Sequence, residues 1–294
     1  MLKKIEISTS TPKNLWCKFI HDNKYFNGCE ILEIDFRKCS FIEPFHLVSL
    51  ACLIEEYYIN HVKIEFINQY DNIELYEYLS SINFFNLWIV NRLIEPIPAV
   101  KRNSLNLYKI KSESISEYVV LAKKYFEDNF DTNKDWYSLN IALAELFNNI
   151  VDHSESIVLG FTITQYYPTL GKVKIAICDF GLGIPTTINT FIKSNEENEL
   201  PTHIALEKSF EIRMSSKKHP HNKGFGLNTI YTIIEEQNGC LNVVSNDVMA
   251  KYENGNFKSF KIKHNFTGTN FEIILNVNKF DELNQDELTE EFAF

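Results

Sequence analysis

The chain has 294 residues, of which 45% are apolar and 14% aromatic, enough for one large or two ordinary domains; a wholly disordered chain is excluded. Its 29 basic and 39 acidic side chains give a formal net charge of −10 at pH 7. This balance argues against a nucleic-acid partner. No run approaches the roughly 18 uninterrupted apolar residues of a membrane span, so no membrane partner is expected.

The N-terminal residues Met1 to Ile7 are typical of a strand rather than of a signal peptide, because Glu6 interrupts any apolar stretch. The six cysteines include no CxxC pair. We therefore expect reduced thiols in a cytoplasmic protein rather than disulfides or a zinc site.

The first 95 residues alternate strand and helix signals. Period-two alternation predicts strands over 30–36 and 62–67. Apolar residues at helical spacing predict helices over 45–58 and 71–80. This succession indicates a small α/β domain over residues 1–95 with a partly parallel sheet.

A second domain is predicted over residues 112–280. Residues 96–111, with prolines at 96 and 98, are predicted to be a linker, and the acidic residues 281–294 a frayed tail. The predicted elements of the second domain are helices over 112–130, 135–153 and 227–237 and strands over 158–166, 172–178, 241–245, 259–263 and 270–277. The expected fold class of the chain is therefore α/β (α+β).

One helix of the second domain carries a carboxylate and a carboxamide beside its apolar stripe. Glu145, Asn149 and Asp152 fall within an arc of roughly 60° on this helix. Carboxylate and amide oxygens one turn apart can hold Mg²⁺, which prefers oxygen ligands. The alternative is a rim of solvated polar residues, which is the commoner reason for such a pattern taken alone.

An apolar strand delivers Asp179 to its end, and Gly181 and Gly183 follow. A carboxylate in this position can accept a hydrogen bond from an exocyclic amine, and the glycines allow main chain to approach a flat ring. The alternative is an Asx turn at the end of a strand.

Gly224 and Gly226 directly precede a predicted helix. Their N–H groups and the positive end of the helix dipole suit a phosphate, although a single GxG is weak evidence. The preceding residues, 184–222, show no clear periodicity and are expected to form a mobile polar loop.

Taken together and in this order, the three signals resemble the GHKL ATPase family, which groups gyrase-type, chaperone-type and histidine-kinase-type ATP sites. The resemblance extends from Ser112 to Val277. Glu145 and Asn149 match the N box of the family, residues 179–183 match its first glycine box and residues 224–227 its second.

The resemblance implies a two-layer α/β sandwich, the Bergerat fold, that binds ATP with Mg²⁺. It implies that Asn149 is a Mg²⁺ ligand and that Glu145 orients or deprotonates the attacking nucleophile. Asp179 would accept a hydrogen bond from the adenine amine, while Gly181 and Gly183 shape the pocket floor.

The remaining implied contacts involve the late strand and the loop. Gly268-Thr269 resembles the Gly-Thr strand entry of the family, where the threonine helps to hold adenine. Gly224 and Gly226, followed by Leu227, would wrap the phosphates. Residues 214–217 resemble the Ser/Thr-Lys lid segment of kinase-like members, so Lys217 or Lys223 would touch the terminal phosphates, and the choice between them is open.

Histidines in this region have simpler explanations than metal binding or catalysis. His219 and His221 flank a proline and have His203 nearby in sequence, but no third ligand is defined, which favours a solvated loop. His153 ends the predicted Glu145 helix, where a cation suits the helix dipole.

The first domain resembles a STAS domain over residues 28 to 90, a family whose members serve as antagonists and scaffolds of regulatory kinases. The phosphorylatable serine of that family would fall near Pro44, Phe45 and His46, and none of these is a serine. We therefore interpret this half as a degenerate interaction module, with a generic α/β domain as the alternative. Ser40 and Ser49 flank the turn without occupying the expected position.

The favoured function is a Mg·ATP-binding regulatory ATPase or serine-kinase-like switch that acts on a protein partner, with Glu145 as base. The alternative is an ATP-gated interaction protein without phosphoryl transfer. A DNA-topology or mismatch-repair machine is disfavoured because such proteins need a transducer domain after the ATP site. A sensor histidine kinase is disfavoured because no phosphoacceptor helix is evident. A homodimer is left open.

Overall fold

The computed structural model describes residues 1–9, 11–24, 28–67, 73–88, 103–112, 115–130, 136–153, 155–195, 198–210 and 226–280. It confirms the α/β class, since helices accompany one parallel and one antiparallel sheet. Within these ranges, no helix has the length and apolar character needed to cross a bilayer. The predicted acidic tail, 281–294, lies outside the described residues.

The first half forms a three-stranded parallel sheet with strand order β1-β2-β3. Its elements are β1 (Leu2–Ser8), α1 (Lys13–Asn23), β2 (Ile31–Lys38), α2 (Pro44–Ile59), β3 (Lys63–Ile67) and α3 (Ile73–Ser81). Alternation along β2 buries Leu32, Ile34 and Phe36 in the core. Glu33 and Arg37 alternate with these residues and therefore lie on the outer face of the sheet, which is rich in charge.

The second half forms a five-stranded sheet with strand order β4-β5-β6-β8-β7, in which every pair is antiparallel. Its elements are β4 (Tyr108–Lys109), α4 (Ile115–Asn129), α5 (Tyr137–His153), β5 (Phe161–Tyr167), β6 (Lys172–Asp179), α6 (Ile184–Ser194), α7 (Thr202–Lys208), α8 (Gly226–Glu236), β7 (Cys240–Glu253) and β8 (Asn256–Asn276). Side chains from α4, α5 and α8 share a core with one face of this sheet.

Four elements differ from the sequence expectations: β8, α6, α7 and β4. The strands predicted over 259–263 and 270–277 are parts of the single 21-residue strand β8. The range expected to be a polar loop begins with two helices, α6 and α7. The end of the predicted linker belongs to the sheet, because β4 pairs with β5.

Helix α2 lies between the two sheets. Thirteen of its sixteen residues are buried, as expected for a helix that is apolar on all sides. It packs against β5, β6 and β8 on one side and against β3 and α1 on another. The first module therefore covers the face of the antiparallel sheet that α4, α5 and α8 leave open, and the layers run sheet, helices, sheet, helices.

Polar bonds join the two halves within this shared core. Asn270 donates from Nδ2 to the carbonyl of Phe45 at 3.0 Å. Lys13 forms an ion pair with the fully buried Glu272, with 2.9 Å between Nζ and Oε2. A buried charge needs a partner of this kind, so these contacts fix how the two halves pack.

Candidate functional site

The candidate site lies where β6 ends beside the middle of β8 and β7. Asp179 pairs with Thr269 on the neighbouring strand, and Thr269 pairs in turn with Ser245. Asp179 follows Ile175 and Ile177 at alternate positions, and both of these belong to the core shared with α5 and α8. Because side chains alternate along a strand, Asp179 faces the helix layer rather than α2.

Asp179 is a buried acid with only 6% of its surface exposed. The backbone N–H of Gly181 donates to its Oδ1 at 2.8 Å. Burial raises the pKa of Asp179 to about 7, although hydrogen bonds from the backbone of Gly181 and Thr269 act in the opposite direction. The carboxyl group is therefore close to half-ionised at neutral pH. It can lose its proton and accept a hydrogen bond from another donor instead.

Two hydroxyl groups extend the site across the sheet. Ser245 Oγ lies 2.9 Å from Thr269 Oγ1 and donates to the carbonyl of Gly268 at 3.0 Å. It also accepts a hydrogen bond from the N–H of Ile184 at 2.9 Å, which fixes the first turn of α6. Sequence reasoning selected Thr269 and missed Ser245, whose only signal is its position directly after the apolar run of β7.

Two glycines of the site are required by backbone geometry. Gly268 has φ +85°, and a Cβ atom there would lie 2.2 Å from the carbonyl oxygen of Asp179. Gly183 has φ +83°, and its Cβ would lie 2.7 Å from the side chain of Asn246. Any other residue would be strained at either position, so the loop after Asp179 can pack closely only with glycine.

Asn246, at an irregularity in the middle of β7, ties the loop after Asp179 to that strand. Its Nδ2 donates to the carbonyl of Leu182 at 2.9 Å, and its Oδ1 accepts from the hydroxyl of Thr186 at 3.1 Å. Asn246 has φ +51°, a conformation that asparagine tolerates better than most residues. Sequence reasoning also missed this residue.

The two polar residues predicted on the Glu145 helix lie on α5, on the same face of the sheet as Asp179. Leu146 and Ile150 belong to the core that contains Ile177, while Glu145 and Asn149 are half-buried at the edge of this packing. Partial burial raises the pKa of the Glu145 carboxyl group above its usual range. The structure thus brings Glu145, Asn149 and Asp179 to the same side of the sheet.

The structure describes only some of the residues that are predicted to contact the phosphates. Gly226 is the first residue of α8, which packs against α5, and Leu227 is half-buried against the same core. Lys217, Lys223 and Gly224 lie outside the described residues, as do His219 and His221. The predicted contacts of these residues with phosphates stay predictions.

The first module contributes to the back of the site. Cys52 on α2 donates a hydrogen bond from Sγ to the carbonyl of Cys178 at 3.3 Å. Lys24, at the end of α1, lies over the ring of Phe180 with 4.2 Å between Nζ and the ring centroid. Its positive charge also lowers the pKa of Asp179 slightly. Residues on both sides of Asp179 in sequence are therefore held by the first module.

The position of the expected STAS serine is occupied by buried residues at the start of α2. Phe45 is fully buried, and His46 is 7% exposed with Nε2 lying 2.8 Å from the carbonyl of Thr11. Ser49 is fully buried and accepts a hydrogen bond from Trp16 Nε1 at 2.8 Å, whereas Ser40 is exposed.

No protein-family model matches the chain, and no curated protein matches its sequence.

Proposed function

We propose that this protein binds ATP with Mg²⁺ on the helix-covered face of its antiparallel sheet and acts as a regulatory protein on a protein partner. The observation that carries the proposal is the environment of Asp179, a buried acid at a strand end with Thr269 and Ser245 beside it. Burial without a strong ionic partner makes this carboxyl group a suitable acceptor for an exocyclic amine.

The residues of the site fit an adenine nucleotide in three respects. Asp179 supplies an acceptor, with the Thr269 hydroxyl beside it. Gly268 and Gly183 allow the backbone around that acceptor to pack closely, against Asp179 and Asn246 respectively. Gly226 begins a helix of eleven residues, whose N-terminus suits phosphate.

On α5, Asn149 would hold Mg²⁺, and Glu145 would orient or deprotonate the nucleophile. When bound, Mg²⁺ supplies charge neutralisation of the phosphates. The raised pKa of Glu145 makes this carboxylate a stronger base than a solvated glutamate, which favours hydrolysis or transfer to a serine of the partner.

The second candidate is an ATP-gated interaction protein without phosphoryl transfer. The observation that favours it is the direct contact of α2 with the carbonyl of Cys178, next to Asp179. Nucleotide binding at Asp179 would then alter the packing of the first module and with it the affinity for a partner. We place either activity in the cytoplasm, and a homodimer is compatible with both.

The two candidates are distinguished by incubating the protein with Mg²⁺ and ATP labelled on the terminal phosphate. We expect label to be released as phosphate, or to appear on protein, with the wild type and with a control, Asp128→Asn, which changes an exposed acid on α4. Glu145→Gln is expected to bind ATP without turnover, and Asp179→Asn to lose both.

Bound ATP that is never cleaved would select the gated interaction protein. Equal turnover by the wild type and Glu145→Gln would remove Glu145 from the mechanism. Unchanged binding in Asp179→Asn would overturn the proposed site.

A further inference from the structure

The C-terminal end of α1 meets the long β7–β8 hairpin at a group of metal-binding side chains. His21 and Asp22 lie in the last turn of α1, and His264 lies on β8. Each offers one ligand atom, and these three atoms lie within 4.8 Å of one another. The group joins distant parts of the sequence, since His264 comes 243 positions after His21 (264 − 21). It includes none of the predicted ATP-site residues.

The imidazole of His21 is held in a tautomer that can bind a metal. Its Nδ1 lies 2.8 Å from the backbone carbonyl oxygen of Asn265, which can only accept a hydrogen bond. Nδ1 therefore carries the proton, and Nε2 presents its lone pair. Histidine ligands of metals are commonly held in this way, by donation from the second ring nitrogen to a carbonyl or carboxylate.

The other two ligands are accessible, since Asp22 is exposed and His264 is half-buried. The carboxylate of Asp22 forms an ion pair with Lys18. Asp22 and Lys18 are each 46% exposed, so the lysine can move away when a cation binds. The rings of His21 and His264 lie 5.8 Å apart, between their centroids.

The ligand set selects the class of metal. Two imidazole nitrogens and one carboxylate oxygen suit Zn²⁺ and related transition metals, whereas Mg²⁺ prefers oxygen ligands alone. In a tetrahedral site with bonds of about 2.0–2.1 Å, the ligand atoms lie roughly 3.4 Å apart. The ligand atoms must therefore approach one another by up to about 1.4 Å, which half-buried and exposed side chains can do by small rotations.

We propose that His21, Asp22 and His264 form a Zn²⁺-type site that ties the first module to the β7–β8 hairpin, with water as the fourth ligand. The site connects to the residue after Asp179, because Phe266, two residues after His264, packs edge-on against Phe180 with 5.9 Å between ring centroids. Bound metal would hold this part of β8 against α1. It would stabilise the packing of the two halves even without nucleotide.

The test is a titration of the metal-free full-length protein with Co²⁺ and then Zn²⁺, without nucleotide. We expect one equivalent of Co²⁺ to bind, with the visible absorption of a tetrahedral nitrogen and oxygen site and without the near-ultraviolet charge-transfer band of a thiolate. Zn²⁺ is expected to displace Co²⁺ and to raise the thermal unfolding midpoint.

The variants His21→Ala and His264→Ala are each expected to weaken binding at least tenfold and to abolish the rise in midpoint. His203→Ala on α7 and the double variant His219→Ala/His221→Ala serve as controls and are expected to bind like the wild type. Asp22→Asn keeps both imidazoles and is expected to weaken binding by a smaller factor.

Absence of binding by the wild type, or unchanged binding in both His21→Ala and His264→Ala, would overturn the proposal. Loss of binding in the His219→Ala/His221→Ala control alone would assign the metal to His219 and His221 instead. None of these results depends on ATP, so the metal site and the proposed nucleotide site fail or stand separately.

Discussion

The two faces of the antiparallel sheet make different contacts where β6 ends beside β8. On one face, Asp179 and Thr269 lie toward the helix layer and form the candidate site. On the other face, the next residues along the same strands, Cys178 and Asn270, contact α2 of the first module. Alternation of side chains along a strand places these roles one residue apart.

This comparison shows how a module remote in sequence can influence the candidate site without reaching into it. A shift of α2 would act on the carbonyl of Cys178 and on the side chain of Asn270, and the adjoining Asp179 and Thr269 would move with them. Each prediction below tests the distinction between the two faces, from the largest expected effect to the smallest.

The largest effect is expected for Gly268→Ala on the site face. The new Cβ would combine an unfavourable φ with a contact of 2.2 Å to the carbonyl of Asp179, so we expect a loss of about 4 kcal/mol in the free energy of unfolding. Gly255→Ala is the matched control, because Gly255 has φ +73° but no atom within 4 Å of a built Cβ. Denaturant titration of both variants measures the difference, and equal losses would show that close approach at Gly268 is unimportant.

On the opposite face, Leu50→Ala in α2 is expected to lower the free energy of unfolding by about 3 kcal/mol, because this side chain is fully buried. Leu139→Ala on α5 is the counterpart in the helix layer and is expected to cost a similar amount. Circular dichroism and tryptophan fluorescence should give one coincident transition for each variant. Two separate transitions would show that the halves do not fold as one unit.

The pH dependence of stability should identify Asp179. Because burial raises the pKa of this group to about 7, the folded state holds a proton that the unfolded state loses near pH 4. The stabilisation is full below about pH 4 and is lost as the pH rises through about 7. The Asp179→Asn variant has no carboxyl group to titrate here, so it should not show this loss of stability.

Between about pH 5 and about pH 7, the free energy of unfolding of the wild type should therefore fall by about 2 kcal/mol more than that of Asp179→Asn. Denaturant midpoints of both proteins across this range provide the measurement. Parallel profiles would mean that the carboxyl group is ionised and solvated throughout.

The smallest effect is expected for Asn270→Leu, which removes the hydrogen bond to Phe45 but also a buried Oδ1 that has no hydrogen-bond partner. We expect a loss of about 1 kcal/mol in stability and a change of at least twofold in ATP affinity. Asn129→Leu loses a comparable bond to the carbonyl of Tyr125, far from α2, and should leave ATP affinity unchanged. The same ATP affinity in both variants would contradict coupling between the faces.

Local patterns were sufficient for most of the fold. Alternation predicted β2, β3 and β6 within a residue or two, and helical spacing predicted α2 and α5. The continuity of β8 was missed although Asn254-Gly255 is a strong hairpin signal, and both residues have the positive φ of such a turn. Helix α6 was missed because its β-branched residues favour other conformations, and its apolar side chains find their partner on α7.

Local sequence patterns also predicted part of the site. Asp179 and Gly183 follow a strand whose pattern is clear, so their position at a strand end could be read from the sequence. Ser245 and Asn246 come from a strand more than sixty residues later, and only the pairing of β7 with β8 brings them to Asp179. The burial of α2 between the sheets was likewise not predictable, because apolar residues on all sides of a helix indicate that it is buried but not which surfaces cover it.

The central claim is that an adenine nucleotide binds beside Asp179, and an equilibrium titration of the wild type and Asp179→Asn with Mg·ATP tests it most directly. We predict one saturable ATP site per chain in the wild type and at least a hundredfold loss of affinity in Asp179→Asn, with an unchanged circular dichroism spectrum. Absence of saturable binding to the wild type, or equal affinity in the two proteins, would contradict the account.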